Sequence, residues 1–325
     1  MHTGKFGISS KLQEIICLLS QDMVFEEAEE ILQTLLGIDI CAKQQQRLSE
    51  YYGEKLEESE GNYQDGSLEV PLVIPPTGSE PVYTTIDGSM VYTREEGWKE
   101  MKVGRIYCET SRVSVQETRT EVTDSFYVCT LGNNKDFFKK FEPYIDPYRH
   151  KVFIADGARW IWNWVEDFYL YCVQSTKYGD SVQILDFYHA VEKLGVYAAL
   201  VYKDVGERRR WLDLQKQRLK ADEVGKIVEE LKEVAAKTID TSETGKVLQD
   251  VIRYYESNIE RMKYGSFLKK GYLTGSGAIE SAHRNVIQQR LKLSGQRWSI
   301  QGAQRIANLR AYRKSNRWKI LIEQI

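Results

Sequence analysis

No run of apolar residues in this 325-residue chain approaches the about 18 needed to cross a bilayer, so a helical membrane span is not expected. The opening Met1-His-Thr-Gly-Lys-Phe-Gly7 has none of the apolar core that a secretory signal carries, and the expected location is the cytoplasm. Cysteine is scarce and scattered. Its five residues (Cys17, Cys41, Cys108, Cys129, Cys172) are an odd number with no Cys-x-x-Cys pair, which speaks against a disulfide framework or a structural zinc site and for reduced, buried thiols. The most informative absence is of acid near the C-terminus. Between Ser281 and Lys319 stand ten basic residues (Arg284, Arg290, Lys292, Arg297, Arg305, Arg310, Arg313, Lys314, Arg317, Lys319) and no Asp or Glu, although the whole chain carries a net charge of only -2. A solvated helix face mixes signs, whereas a one-signed segment interleaved with Trp298, Tyr312 and Trp318 suits a phosphate backbone and stacked bases.

Residues 10 to 59 carry helical periodicity. One pattern opens at Ser10, a second runs from Phe25 and stops at Gly37, and a third begins near Cys41. The short Gly37-Ile-Asp-Ile joint resembles that of a helix-turn-helix, although taken alone it fits a plain helical packing domain better. In the first case Lys43, Gln44 and Arg47 lie early on a recognition helix, where groove contacts are made. From Glu60 the composition shifts to Gly, Pro, Ser, Asn and Asp as far as Pro81, which predicts a linker and a recognition segment able to fold apart from the rest of the chain. Strand-like runs come next at Val82, at Gly104 to Thr110, at Ser125 to Leu131, at Lys151 to Ala155 and at Val182 to Leu185, with helical patterns from Asn134 and Arg159 between the later ones. After His189 about eighty residues read as helix, with charged amphipathic runs at Ala221 to Lys237 and Lys246 to Tyr264.

Three acids stand out from this background. Val82-Tyr-Thr-Thr-Ile-Asp87-Gly88 and Lys151-Val-Phe-Ile-Ala-Asp156-Gly157 are both apolar strands ending in Asp-Gly, and Glu280 opens a helical pattern in Gly275-Ser-Gly-Ala-Ile-Glu-Ser. Each Asp-Gly taken alone is most often just a surface turn. Together the three acids match the chemistry of phosphodiester transfer, in which divalent ions held by a few carboxylates act on the attacking and leaving oxygens. In Asp186-Phe-Tyr-His189 the Asp is either a helix cap with a packed His behind it or a pair in which His189 orients a water, a phosphate or a carboxylate.

These stretches, in this order, resemble the DDE transposases of bacterial insertion sequences, near the Mutator-like group, over residues 10 to the C-terminus. The resemblance implies a mixed α/β, ribonuclease-H-like five-stranded sheet whose first and fourth strands are neighbours. Its expected divisions are an N-terminal helix-turn-helix domain (1–66), a linker (67–81), the first part of the catalytic core (82–190), an all-helical insertion (191–271) and the second part of the core with basic C-terminal helices (272–325). It implies catalytic and metal-binding roles for Asp87, Asp156 and Glu280 with two Mg²⁺ (or Mn²⁺) ions, and a supporting catalytic role for His189. Trp98 and Lys102 are similar to a Trp and a Lys on the hairpin after the first Asp, and Arg284, Gln289, Arg290 and Trp298 to the basic stretch after the Glu. DNA contacts are then expected from Lys43, Gln44, Arg47, Arg284, Arg290, Arg297, Trp298 and Arg313. The partners would be the element's terminal inverted repeats and target DNA, bound by a dimer or a higher oligomer, with no membrane involved. One departure from the group is the short stretch before Phe25. A metal-dependent nuclease or resolvase on the same fold, and a non-catalytic DNA-binding descendant of a transposase, are the alternatives.

Overall fold

The computed structural model describes residues 5–72, 80–116, 119–174, 181–237, 242–275 and 277–325. Three helices come first: α1 (Ser10–Ser20), α2 (Phe25–Leu36) and α3 (Ala42–Asp65). Helix α2 stops where expected, at Gly37, which adopts the left-handed backbone (φ 63°) that only glycine reaches without strain. Helix α3 begins after Cys41, which gives no side-chain cap. Glu29 of α2 supplies one instead, its carboxylate accepting the Ala42 N–H at 2.6 Å.

Strands β1 (Val82–Thr93) and β2 (Gly97–Cys108) form a twelve-residue antiparallel hairpin, followed by β3 (Arg112–Gln116), β4 (Arg119–Val122) and β5 (Phe126–Leu131). Then come α4 (Asn134–Ile145), β6 (Lys151–Ala155), α5 (Arg159–Gln174) and β7 (Ser181–Leu185). Five strands make one mixed sheet in the order β5-β2-β1-β6-β7, and β3 and β4 pair apart from it. The hairpin is longer than its sequence suggests. Asp87-Gly88 is not a turn: the strand runs on to Thr93, with Asp87 opposite Val103 and Gly88 opposite Lys102. Glu100 from β2 lies over Gly88 where a Cβ would sit, so the glycine serves close packing inside the hairpin and the chain reverses only after Thr93.

The remaining elements are helical: α6 (Phe187–Val201), α7 (Val205–Lys220), α8 (Val224–Ala235), α9 (Glu243–Asn258), α10 (Tyr264–Lys269), α11 (Gly277–Ala282), a π-helical segment (His283–Gln288), α12 (Gln289–Leu291), α13 (Ile300–Lys314) and α14 (Trp318–Ile322). No helix among the described residues is long and apolar enough to cross a membrane.

The chain divides into two units. The first holds residues 1–151, 177–179 and 278–325, so α1 to α3 belong with the β1-β2-β5 strands and the C-terminal helices. One apolar core runs through Ile16, Leu32, Leu48, Tyr52 and Leu56 from the N-terminal helices, Val91, Met101, Val103 and Cys129 from the strands, and Ile306, Ala307 and Leu321 from the last helices. Each large apolar side chain so buried contributes roughly 1.5–3 kcal/mol. Helices α3 and α13 meet at Gly53, where a Cβ would collide with the Arg305 backbone. The expected linker therefore begins later than its composition suggests: residues 60–65 are the last turns of α3, with Glu60 buried. Residues 73–79, the middle of the 67–81 segment, lie outside the described residues.

The second unit holds residues 152–176 and 180–277. Its buried apolar residues include Phe153 and Ile184 of the strands and Leu194, Tyr197, Leu219, Ile227, Leu231, Leu248, Ile252 and Tyr255 of α6 to α9. Buried polar groups are tied in: the Tyr255 hydroxyl donates to the Ala190 carbonyl at 2.8 Å, and Trp211 Nε1 donates to Glu230 at 2.7 Å. Of the cysteines, Cys17, Cys108 and Cys129 are buried as expected, and burial pushes the Cys108 and Cys129 thiols up to about 12. Cys41 is exposed, because it sits in the joint before α3 and not on a packed helix face. The Cys172 side chain lies outside the described residues.

Candidate functional site

In the first unit β1 passes from five buried residues, Val82 to Ile86, to Asp87, whose side chain is 35% exposed. Asp87 Oδ1 accepts the Gly88 N–H at 2.7 Å, and Oδ2 lies 3.1 Å from Nε2 of His283. His283 is 5% exposed and opens the π-helical segment that continues α11, three residues beyond Glu280. Such segments occur where a helix departs from regular spacing, frequently at functional sites. The start of α11 is pinned to the sheet by Arg105 of β2. That guanidinium is buried, donating to the Ala278 carbonyl at 2.7 Å, to Ser125 Oγ at 2.9 Å and to the Val122 carbonyl at 3.3 Å. Glu280 itself is exposed. Sheet and helix are thus joined on both sides of Glu280, by Arg105 to Ala278 and by His283 beside Asp87.

Sequence patterns single out neither Arg105 nor His283. For His283 a signal exists in the Glu280-Ser-Ala-His283 spacing, which sets both side chains on one helical face a turn apart. For Arg105, inside a strand of Tyr, Ile and Cys, only its charge among apolar neighbours is visible.

In the second unit Asp156 follows β6. Its Oδ1 accepts the Ala158 N–H at 2.9 Å, and its carbonyl accepts Trp162 Nε1 at 2.6 Å, which fixes the turn into α5. Gly157 packs against the face of Tyr254 from α9, where a Cβ would overlap the ring. Burial raises the Tyr254 hydroxyl well above its ordinary range, and the negative charges of Asp156 and Asp186 raise it further. Asp186, at the end of β7, donates its N–H to the Ala155 carbonyl at 2.8 Å, which puts it beside Asp156's strand. Its carboxylate is fully buried; Oδ1 caps α6 by accepting the His189 N–H at 2.7 Å and lies 3.0 Å from His189 Nδ1. Cap and His–carboxylate pair are therefore the same contact. His189 keeps 34% of its side chain exposed, and its ring is oriented by a carboxylate in the way that fixes which nitrogen faces outward.

Among the described residues no three His, Cys, Asp or Glu side chains are gathered into one metal-binding group. What the structure draws together is Asp87 with His283 in one unit and the Asp156 turn with Asp186 and His189 in the other.

The basic segment sorts into two classes. Arg284, Arg297 and Arg313 are exposed, as are Lys43, Gln44 and Arg47 on the first turns of α3. Arg290 and Trp298 are not available to DNA. Arg290 is 1% exposed, its guanidinium lying 4.9 Å from the Phe25 ring and 4.8 Å from the Trp298 ring and donating from Nε to the Ser20 carbonyl at 2.9 Å. Burial, with the charge of Arg310 behind it, lowers that guanidinium to about 10, so it remains charged at neutral pH. Trp298 is buried, with its indole N–H on the Leu291 carbonyl at 3.2 Å. Arg310 and Arg317 are buried as well. Arg310 meets Asp22 at 2.9 Å, Arg317 lies 3.6 Å from Glu60 and donates to the Tyr144 hydroxyl at 2.6 Å, and Arg305 pairs with Glu54. The acids missing from the segment's own sequence are supplied by the N-terminal helices and the loop between them. Trp98 is 64% exposed on the hairpin and packs edge-on to Tyr92, whereas Lys102 is buried between Glu100 (2.8 Å) and the Gly132 carbonyl (2.7 Å). Comparison of the chain with protein-family models and with curated proteins returns no match.

Proposed function

We propose that the chain is a DDE transposase on a ribonuclease-H-like sheet, cutting DNA at the ends of its element and joining those ends to target DNA. The observation that carries this reading is the seating of the Glu280 helix against Asp87, an acid from residue 87 met by a segment from residues 278–283 through Arg105 and His283. Asp87 stands where β1 passes from its five buried residues to its partly exposed half, with the buried His283 ring beside it, and an ion-binding role fits that position. The strand order, the acid after β6 and the oriented His189 at the end of β7 support the same reading.

Asp87, Asp156 and Glu280 would hold two Mg²⁺ or Mn²⁺ ions; carboxylate oxygens are the hard donors such ions prefer. When bound, divalent ions activate the attacking oxygen and stabilise the leaving one in an in-line displacement. The protein's own part is positional. Arg105 fixes the start of α11, Asp186 fixes the ring of His189 so that its outer face can orient a water or a phosphate, and Arg284, Arg297 and Arg313 offer exposed cations to the DNA backbone. Lys43, Gln44 and Arg47 are the groups for reading bases from α3. Transposition pairs two ends, so the working form on DNA would be a dimer or larger.

The assay substrate is the DNA flanking the gene, in which this reading expects inverted repeats bordered by short direct duplications. Asp156→Asn is expected to abolish cleavage and joining of these ends in Mg²⁺ while keeping their affinity in a gel shift, since one ligand and one negative charge are lost and the packing is kept. Cleavage by the variant at the wild-type rate would refute the assignment, and cleavage without joining by the wild type would point to a nuclease.

A further inference from the structure

His283 is a buried histidine with one charged neighbour and no hydrogen bond among the described residues. It is 5% exposed, neither ring nitrogen makes a hydrogen bond among the described residues, and Nε2 nonetheless lies 3.1 Å from Asp87 Oδ2. A buried polar group left without a hydrogen bond costs about 1–3 kcal/mol, so a ring placed this way is explained by something that binds it. The separation has a second meaning. Two donor atoms on adjacent corners of an octahedral ion with bonds of about 2.1 Å lie about 3.0 Å apart. The Glu-x-x-His spacing of Glu280 and His283 is also the one by which helices of carboxylate-bridged metal proteins present a Glu and a His from one face.

We propose that His283 Nε2 is a ligand, beside Asp87 Oδ2, of the divalent ion held at that carboxylate. The proposal rests on the metal-binding reading of Asp87 and goes beyond it, because an imidazole changes which ion the site selects. Purely carboxylate sites suit Mg²⁺, whereas imidazole nitrogen favours transition ions, and Mn²⁺ accepts both donors in octahedral geometry. The site is therefore a mixed nitrogen and oxygen site that prefers Mn²⁺ to Mg²⁺.

Pulsed electron paramagnetic resonance of Mn²⁺ bound to the full chain tests this without reference to activity. The chain has four histidines, at positions 2, 150, 189 and 283. A variant with His2, His150 and His189 all changed to Gln leaves His283 as the single imidazole, and it is expected to keep the ¹⁴N modulation of the Mn²⁺ signal seen in the wild type. His283→Gln is expected to lose that modulation and to bind Mn²⁺ at least about tenfold more weakly, with a smaller loss for Mg²⁺, while its circular dichroism and melting stay those of the wild type. Mn²⁺ binding that depends on Asp87 but shows no ¹⁴N modulation would overturn the proposal and leave the reading of Asp87 standing. Mn²⁺ binding indifferent to Asp87→Asn would overturn both. Because the triple variant leaves His283 untouched, it decides the matter even if His283→Gln does not fold.

Discussion

Deleting residues 1–66 is expected to destroy the first unit and not to release an active core. The composition around residues 60 to 81 suggests a detachable recognition domain, but Ile16, Leu32, Leu48, Tyr52 and Leu56 all lie at 4% exposure or less in the core that also holds Val91, Met101, Ile306 and Ala307. Five such side chains contribute on the order of 8–15 kcal/mol, at roughly 1.5–3 kcal/mol each. That equals the entire stability of an ordinary domain, about 5–15 kcal/mol. The deletion also removes the Ser20 and Gln21 carbonyls, Asp22 and Glu60, which are among the partners of the buried guanidiniums of Arg290, Arg310 and Arg317 and include the carboxylates facing the last two. Removing the carboxylate that faces a buried cation costs about 3–5 kcal/mol, and the deletion does this to both Arg310 and Arg317. Near-ultraviolet circular dichroism and gel filtration of residues 67–325 should therefore show a chain without fixed tertiary packing. A cooperative melt of that fragment, with native aromatic dichroism, would refute the claim of a shared core and restore the separable domain.

Two further substitutions divide surface from interior. Changing Arg284, Arg297 and Arg313 together to Gln should leave the melting temperature nearly unchanged and lower the slope of log K against log salt by about 2.7, at roughly 0.9 for each phosphate contact. Arg290→Gln should do the reverse, lowering stability by about 1–3 kcal/mol as the buried Ser20 carbonyl loses its donor, with the salt slope retained; salt titrations and thermal melts of the two variants side by side decide it. Gly157→Ala should destabilise the second unit by about 1–3 kcal/mol, because its Cβ overlaps the Tyr254 ring and the turn carrying Asp156 must shift. A fully stable, fully active Gly157→Ala protein would show that this turn is not tightly held.

Much of the backbone is legible in the sequence because local chemistry fixes it. Gly37 ends α2, Lys151 to Ala155 is the β6 strand, and Asn134 and Arg159 open their helices, each where period and punctuation agree. The β1-β2 hairpin is misjudged for an equally local reason. Asp-Gly is a turn signal when the pair is exposed, but here Gly88 is packed beneath Glu100 across the strands, and that cross-strand neighbour cannot be seen along one stretch of chain. The small β3-β4 pair escapes a sequence reading for the same reason.

The basic C-terminal segment shows more plainly what a one-dimensional reading leaves out. Ten cations without an acid look like a phosphate-binding surface only if all ten face water. Arg290, Arg310 and Arg317 instead point inward, and their compensation comes from carbonyls and carboxylates some 250 to 290 positions earlier in the chain. The sign bias is thus partly a record of how the N-terminal helices are attached. The exposed share, which includes Arg284, Arg297 and Arg313 along with Lys292 and Lys319, is the part open to nucleic acid. The same arithmetic applies to the acids. A carboxylate matters to chemistry when it stands at the edge of a buried core beside a polar group that the core itself does not require, and by that measure Asp87 beside His283 is the position from which the first unit's chemistry is to be tested.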